Sequence, residues 1–317
     1  MTTEHDRGPF ASLQELTFGT TDLGRDTSAG SVGEAAAVET AIAMLRSGAV
    51  VDTSNMYAGG RAEQVLGTAL GELAPDEREA AACRIVTKVD RDLDTGVFDA
   101  ARVRRSHEQS LARLGLERVR MLHLHDPYVV PFDQAIEPNG VIAEMVRIRD
   151  AGEVDAIGIA AGRTPVVERY VDTGAFDMVL SHNRFTLVDR SAQGLFENAR
   201  RRGMTVFNAA PFGGNLLAKG SAAGSSYAYQ PVSPELRVWT AGIERLCAEF
   251  GVPLAAVALQ FSLRSELVDS TVVTASSPAR IRQLHDLART PVPDELWSAL
   301  AARPAAPTPI DDTEDAR

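Results

Sequence analysis

Asp52, Lys88 and His125 each close a short apolar, β-rich run in the first half of the chain, and Tyr57 follows the first of them by five residues. A tyrosine holds its proton to about pH 10. One that trades protons with a substrate near neutrality needs a cation beside it, and that cation needs an anion to hold it. Lys88 suits the first role and Asp52 the second. On this reading Lys88 lowers the Tyr57 pKa, Tyr57 gives a proton to a carbonyl oxygen or takes one from a hydroxyl, and His125 hydrogen-bonds the same oxygen. None of the four can supply two electrons, so a hydride must come from a cofactor, and a nicotinamide is the simplest source. Each residue has a bland alternative: a turn cap, a packed ring, a solvated amine, a polar core residue. Their joint placement on consecutive units favours the chemistry.

Elements able to position these groups recur along the chain. Strand-like runs at 16–19, 50–52, 85–89, 121–125, 157–160, 178–181, 206–209 and 271–273 alternate with helical patterns, among them 34–46, 62–73, 101–114 and 141–149. Eight strands alternating with helices predict an α/β fold, a single-domain (β/α)8 TIM barrel, with the active groups at the strand C-termini. The wide gap between the last two strands contains helical patterns at 236–250 and from Pro253. It also holds a Gly/Ser/Ala-rich stretch, 219–234, which reads as a mobile flap. We expect the barrel to occupy 1–302 and an acidic, proline-rich tail, 303–317, to fray.

Composition narrows the classes. With 44% hydrophobic and 24% charged residues, the 317-residue chain reads as a globular protein with a sizeable core. No apolar run reaches the ~18 residues of a membrane span, and the polar start, 1–6, lacks the order of a secretory signal, so no membrane partner and a cytoplasmic location are expected. A net charge of −11 argues against nucleic acid, and the clusters Arg102, Arg104, Arg105 and Arg200, Arg201, Arg202 read as solvated helix faces. Cys83 and Cys247 are too few for a disulfide framework. His123 and His125 share one strand face, as in metal-dependent barrel hydrolases, a rival reading that needs further ligands, for which His182 and a late aspartate such as Asp269 or Asp286 are the candidates. No metal is expected, and His123 reads as a hydrogen-bonded filler of a deeper barrel layer.

The pattern resembles the aldo-keto reductases, over about 16–287. The most specific stretches are Asp-Thr-Ser-Asn-Met-Tyr at 52–57 with Gly59, Glu63 and Gly67, then Thr87-Lys88 and Leu124-His125; 152–158 resembles the segment leading into strand five. His-Asp-Pro at 125–127 and 208–214 look most like the branch that holds fucose-type and threo-aldose dehydrogenases and pyridoxal 4-dehydrogenase. The resemblance implies an NAD(P)-dependent oxidoreductase with Asp52, Tyr57, Lys88 and His125 as its catalytic tetrad. The implied substrate is a small carbonyl compound or sugar, with aldose oxidation at C1 or pyridoxal preferred, and the implied assembly is a monomer or weak homodimer. It implies cofactor contacts from Gly19, Thr20 and Asp52, from the pyrophosphate loop Ala209, Ala210, Pro211, Phe212, Gly213, Gly214, Asn215 and Leu216, and from Thr274, Ser276, Ser277 and Arg280 at a helix start.

Several positions depart from the family pattern. Ala160 and Ala161 replace a Ser-Asn pair that holds the nicotinamide carboxamide, so His182 or Asn183 must serve instead; Ala209 replaces a stacking aromatic residue. Thr274 and Leu284 replace a common lysine and asparagine while Arg280 remains, which favours NAD over NADP. These replacements also motivate an alternative: a nucleotide-binding regulatory protein of this fold with little turnover.

Overall fold

The structure, a computed structural model, describes residues 15–312. The strands are β1 (Leu16–Gly19), β2 (Val50–Asp52), β3 (Ile85–Val89), β4 (Met121–His125), β5 (Ala156–Ala160), β6 (Met178–His182), β7 (Thr205–Ala209), the short β8 (Ser226–Tyr227) and β9 (Gln230–Pro231), and β10 (Ser270–Thr274). Eight of them close a parallel barrel in which β10 lies between β7 and β1, and β8 and β9 pair apart from it as an antiparallel hairpin. The expected (β/α)8 architecture is thus the observed one, and the runs chosen from sequence coincide with the barrel strands to within a residue or two.

Strand alternation decides which face of the barrel each residue meets. Val50, Val86, Met121, Ala156, Met178, Phe207 and Val272 form a separate inner cluster, whereas Val51, Ile85, Leu122, Leu124, Ile157, Val179 and Val206 join the larger core between strands and helices. Two residues beyond Val50 and Val86 come Asp52 and Lys88, and four beyond Met121 comes His125. All three therefore face inward, nearer the barrel's C-terminal mouth. The parallel register pairs Gly19 with Asp52, Lys88 with His123, and His125 with Ala160, which places the polar groups side by side.

Several neighbours of these residues have packing roles. Thr87 points outward where Lys88 points inward, and its Oγ1 donates to buried Glu63 Oε1 at 2.6 Å. Glu63 also accepts from Arg113 Nη1 at 3.2 Å, tying the helices Arg61–Gly71 and Ala100–Leu114 together behind β3. Where those helices cross, a Cβ on Gly67 would stand 2.2 Å from the Arg113 carbonyl oxygen, so only glycine permits the approach. Ala58, Gly59 and Gly60 carry φ of 50°, 64° and 87°, a left-handed turn that doubles the chain back directly after Tyr57.

Three expectations are corrected. Arg102 is only 4% exposed: it donates to the Asp90 carbonyl, Asn55 Oδ1 and Gln109 Oε1, so the first arginine cluster is not wholly solvated. The stretch 219–234 is no open loop. It holds the end of the helix Leu216–Ala223 and the β8/β9 hairpin, anchored by buried Tyr227, whose hydroxyl donates to the Asn183 carbonyl at 3.2 Å and lies 2.6 Å from Thr186 Oγ1. The tail does not fray as far as Asp312, because the Asp312 carboxylate accepts from Arg184 Nη2 at 2.7 Å, Arg184 Nε at 3.0 Å and the Thr164 amide at 3.0 Å. Residues 1–14 and 313–317, including the polar start, lie outside the described residues. Cys83 is exposed and Cys247 buried, both free. No single described helix is long and apolar enough to cross a membrane; the helices Pro234–Glu249 and Leu254–Leu263 reach that measure only jointly, across a 95° bend.

Candidate active site

A cleft of about 850 Å³ opens at the C-terminal ends of the barrel strands, and Asp52, Tyr57, Lys88 and His125 all line it. Lys88 Nζ is the hub. Only 1% exposed, it donates to Asp52 Oδ1 at 2.6 Å, to the Thr53 carbonyl at 2.7 Å and to the Tyr57 hydroxyl at 3.1 Å. The Tyr57 and His125 rings meet edge to face with centroids 5.8 Å apart. The four residues singled out from sequence therefore form one contiguous cluster.

Two further residues complete it. His125 Nδ1 lies 2.6 Å from Asp90 Oδ1, and Asp90 Oδ2 accepts from Ser54 Oγ at 2.5 Å and the Met56 amide at 3.1 Å. With the Nδ1 edge engaged by Asp90, the Nε2 edge of His125 is left for the cleft. Sequence reasoning did not single out Asp90 or Ser54. The available signal was the strand period: each lies two residues beyond a residue already chosen, Lys88 and Asp52, and so continues the same inward face just past the strand end.

Burial and charge set the protonation states. Burial is the largest influence on Tyr57 and pushes its phenol up to about 12; the charge of Lys88 and its hydrogen bond oppose this without reversing it. The expectation that the lysine makes the phenol acidic is corrected accordingly: Lys88 acts in the foreseen direction, desolvation outweighs it, and Tyr57 keeps its proton at neutral pH. Burial pulls Lys88 downward, but Asp52 and Tyr57 together raise it, so the ammonium stays charged. Burial also disfavours charge on His125, yet Asp90, joined by the charge of Asp126, more than compensates and raises the imidazole above its ordinary value. Burial likewise opposes ionisation of Asp90, and His125 together with Ser54 holds that carboxyl below its usual range.

Of the residues expected near a cofactor, Gly19, His182, Asn183, Ala209, Ala210, Pro211, Phe212, Gly214, Thr274 and Arg280 also line the cleft. Asn183 takes a left-handed conformation, φ 63°, and its buried Oδ1 has no hydrogen-bond partner. An orphaned acceptor there suits an amide NH2 group, and the small residues Gly19, Ala160 and Ala209 leave room for a flat ring. Arg280 Cζ stacks 5.5 Å from the Phe212 ring centroid. The other expected contacts do not line the cleft. The Thr20 hydroxyl donates to the Asp52 carbonyl, Gly213 packs against the Tyr227 ring, the Asn215 side chain holds the backbone amides of Ser225 and Ser226, Leu216 is buried, Ser276 is exposed, and Ser277 caps the helix Pro278–Arg289.

His123 sits one layer below His125, fully buried, with its ring edge-on to Phe207. Neither ring nitrogen has a hydrogen-bond partner, contrary to the expected bonded filler, and burial holds the imidazole neutral. Among the described residues no group of three His, Cys, Asp or Glu side chains is arranged to hold a metal ion.

Fold and cluster together define the class, a barrel oxidoreductase with its proton-transfer groups at the strand ends. The chain belongs to the aldo/keto reductase family, whose model matches residues 15–303, and it is an NAD(P)-dependent oxidoreductase. It is 31% identical to D-threo-aldose 1-dehydrogenase of a Pseudomonas species, over 78% of this chain and 77% of that protein. Pyridoxal 4-dehydrogenase of Microbacterium luteolum is 28% identical, over 78% and 82%. L-galactose dehydrogenase of Arabidopsis thaliana is 30% identical, over 84% and 81%. Among solved structures, a glycerol dehydrogenase of Gluconobacter oxydans superposes with a TM-score of 0.72 at 21% identity, covering 94% of this chain and 96% of that one, which supports the fold.

Proposed function

We propose that this protein oxidises an aldose at C1 and passes the hydride to NAD, the same groups serving carbonyl reduction in reverse. One observation carries the reading: the Tyr57 hydroxyl, 3.1 Å from Lys88 Nζ, shares a single cleft with His125 and with Asn183, whose buried Oδ1 has no hydrogen-bond partner. The cofactor supplies or accepts the hydride when bound, with Asn183 and the small residues at the nicotinamide end and Arg280 at the other. In reduction, Tyr57 donates its hydroxyl proton to the carbonyl oxygen while Lys88 stabilises the phenolate left behind and Asp52 holds Lys88 in place. His125 donates from Nε2 to that oxygen and so orients the carbonyl; Asp90 fixes the ring and favours its protonated form. In oxidation the same contacts run backwards, with Tyr57 receiving the hydroxyl proton.

Arg280 is the single cation at its end in the expected phosphate set, since Thr274 stands where many family members carry lysine; this supports NAD over NADP. The aldose preference rests on the relatives named above. A binding protein without turnover would have no need of an intact charge relay, and here the relay is intact. Separate titration with NADH and NADPH, followed by oxidation of sugars and pyridoxal and reduction of aldehydes, tests the reading. Tyr57→Phe is expected to lower turnover by about 10²–10⁴-fold, the contribution of a positioned proton donor, with cofactor affinity little changed. Retention of most activity would remove Tyr57 from the role given to it.

A further inference from the structure

Asp126 follows His125 directly and lines the same cleft. Its backbone is left-handed, φ 40° and ψ 60°, a strained conformation for a residue with a Cβ and one not favoured before a proline such as Pro127. The surrounding structure enforces it: the Asp126 amide donates to the Ala160 carbonyl at 3.0 Å, and its carbonyl accepts from the Tyr128 amide at 2.8 Å. The turn keeps the side chain at the barrel mouth, where it is 35% exposed. Oδ1 is buried without a hydrogen-bond partner, and Oδ2 lies 3.8 Å from His125 Nε2, beyond hydrogen-bond reach. His125, the neighbour at ion-pair distance, is already hydrogen-bonded to Asp90, and Asp52 is matched with Lys88 and Asp312 with Arg184. A carboxylate held at some backbone cost, beside the proton-transfer groups and without a protein donor, is poised to accept from a ligand.

We propose that Asp126 determines specificity by accepting a hydrogen bond from a substrate hydroxyl on the carbon next to the reacting one. Two hydrogen bonds of about 2.8 Å, one from His125 Nε2 and one into Asp126 Oδ2, rise from atoms 3.8 Å apart and converge on oxygens of adjacent carbons. The site thereby selects neutral 2-hydroxy aldehydes and aldoses. It disfavours 2-deoxy counterparts, which leave the carboxylate unsatisfied, and sugar acids, whose charge it repels. This rests on the reading of the cleft given above.

The test compares kcat/KM of the whole protein for matched pairs: glycolaldehyde against acetaldehyde in reduction, galactose against 2-deoxygalactose and glucose against glucuronate in oxidation. The native protein is expected to favour the hydroxylated member of the first two pairs by about tenfold or more, the worth of a hydrogen bond to a charged group, and glucose over glucuronate in the third. Asp126→Asn and Asp126→Gly both tolerate a positive φ. Each is expected to shrink that preference severalfold, mainly through KM, and to raise glucuronate relative to glucose, a gain that misfolding does not produce. Native turnover without a 2-hydroxyl preference, or variants that keep it undiminished, overturns the role of Asp126 and leaves the oxidoreductase reading standing. No turnover of any aldehyde or sugar by the native protein overturns both.

Discussion

Asp90→Asn separates the charge that supports His125 from the burial that opposes it. Asp90 Oδ1 and His125 Nδ1 are 2.6 Å apart, and both residues are buried. Burial alone drives an imidazole toward its neutral form, and here the Asp90 carboxylate, with Asp126 adding to it, reverses that tendency. Asparagine keeps an acceptor of similar size and removes the charge, so the imidazole of the variant must titrate at lower pH. His125, raised in the folded state, contributes stability that is fully present below its unfolded pKa near ~6.5. That contribution is lost as pH rises through the higher folded value. Asp90, depressed in the folded state, contributes stability present above its unfolded pKa near ~3.9 and lost as pH falls through the lower folded value. The pair therefore stabilises most between about pH 4 and 6.5. A buried charge-assisted hydrogen bond is worth about 1.5–3 kcal/mol, which sets the loss expected at pH 6. Denaturant unfolding at pH 6 and pH 9 is expected to show a larger deficit for the variant at pH 6. The pH profile of kcat/KM for aldehyde reduction is expected to fall off at lower pH than in the native protein. An alkaline limb in the same place, together with a deficit equal at both pH values, would refute the argument.

Two further substitutions probe the supports of the site. Lys88→Met removes the cation that opposes burial at Tyr57, so the phenol, already near 12, rises further and turnover falls. It also leaves Asp52 buried and unpaired, at a cost of about 3–5 kcal/mol; adding Asp52→Asn is expected to recover much of that stability in denaturant titrations and none of the activity. Asp312→Ala releases the paired bonds from Arg184 and the bond from the Thr164 amide, with an expected loss of about 1.5–3 kcal/mol. An unchanged melting temperature would show that the tail does not hold the barrel there.

Much of the site was legible because strand periodicity is a local property. Asp52, Lys88 and His125 end short apolar runs, and a two-residue repeat turns each of them inward once the sheet closes. The same rule explains the Thr87-Lys88 pair, one side chain tying down the helix behind β3 and the other entering the cleft. It would also have reached Asp90 and Ser54 had the inward face been followed one step past the strand ends.

The remainder depended on groups that meet only in the folded chain. Arg102 resembles its solvated neighbours in sequence, and its burial follows from Asn55 arriving from the preceding unit and from the Asp90 carbonyl just past the end of β3. The Tyr57 pKa turns on the contest between desolvation and one ammonium, and sequence identifies the ammonium without measuring the desolvation. Asp312 and Arg184 are 128 residues apart, and no local pattern marks the bond that fastens the acidic tail. By itself, the sequence determined the eight strands, their inward faces and the four residues gathered at the mouth, since these follow from short-range alternation. Beyond the Asp52–Lys88 pair, tertiary structure alone decided which charges are paired, which acceptors are left for a ligand and which proton each group keeps, because those outcomes depend on distance and solvent exclusion between segments remote in the chain.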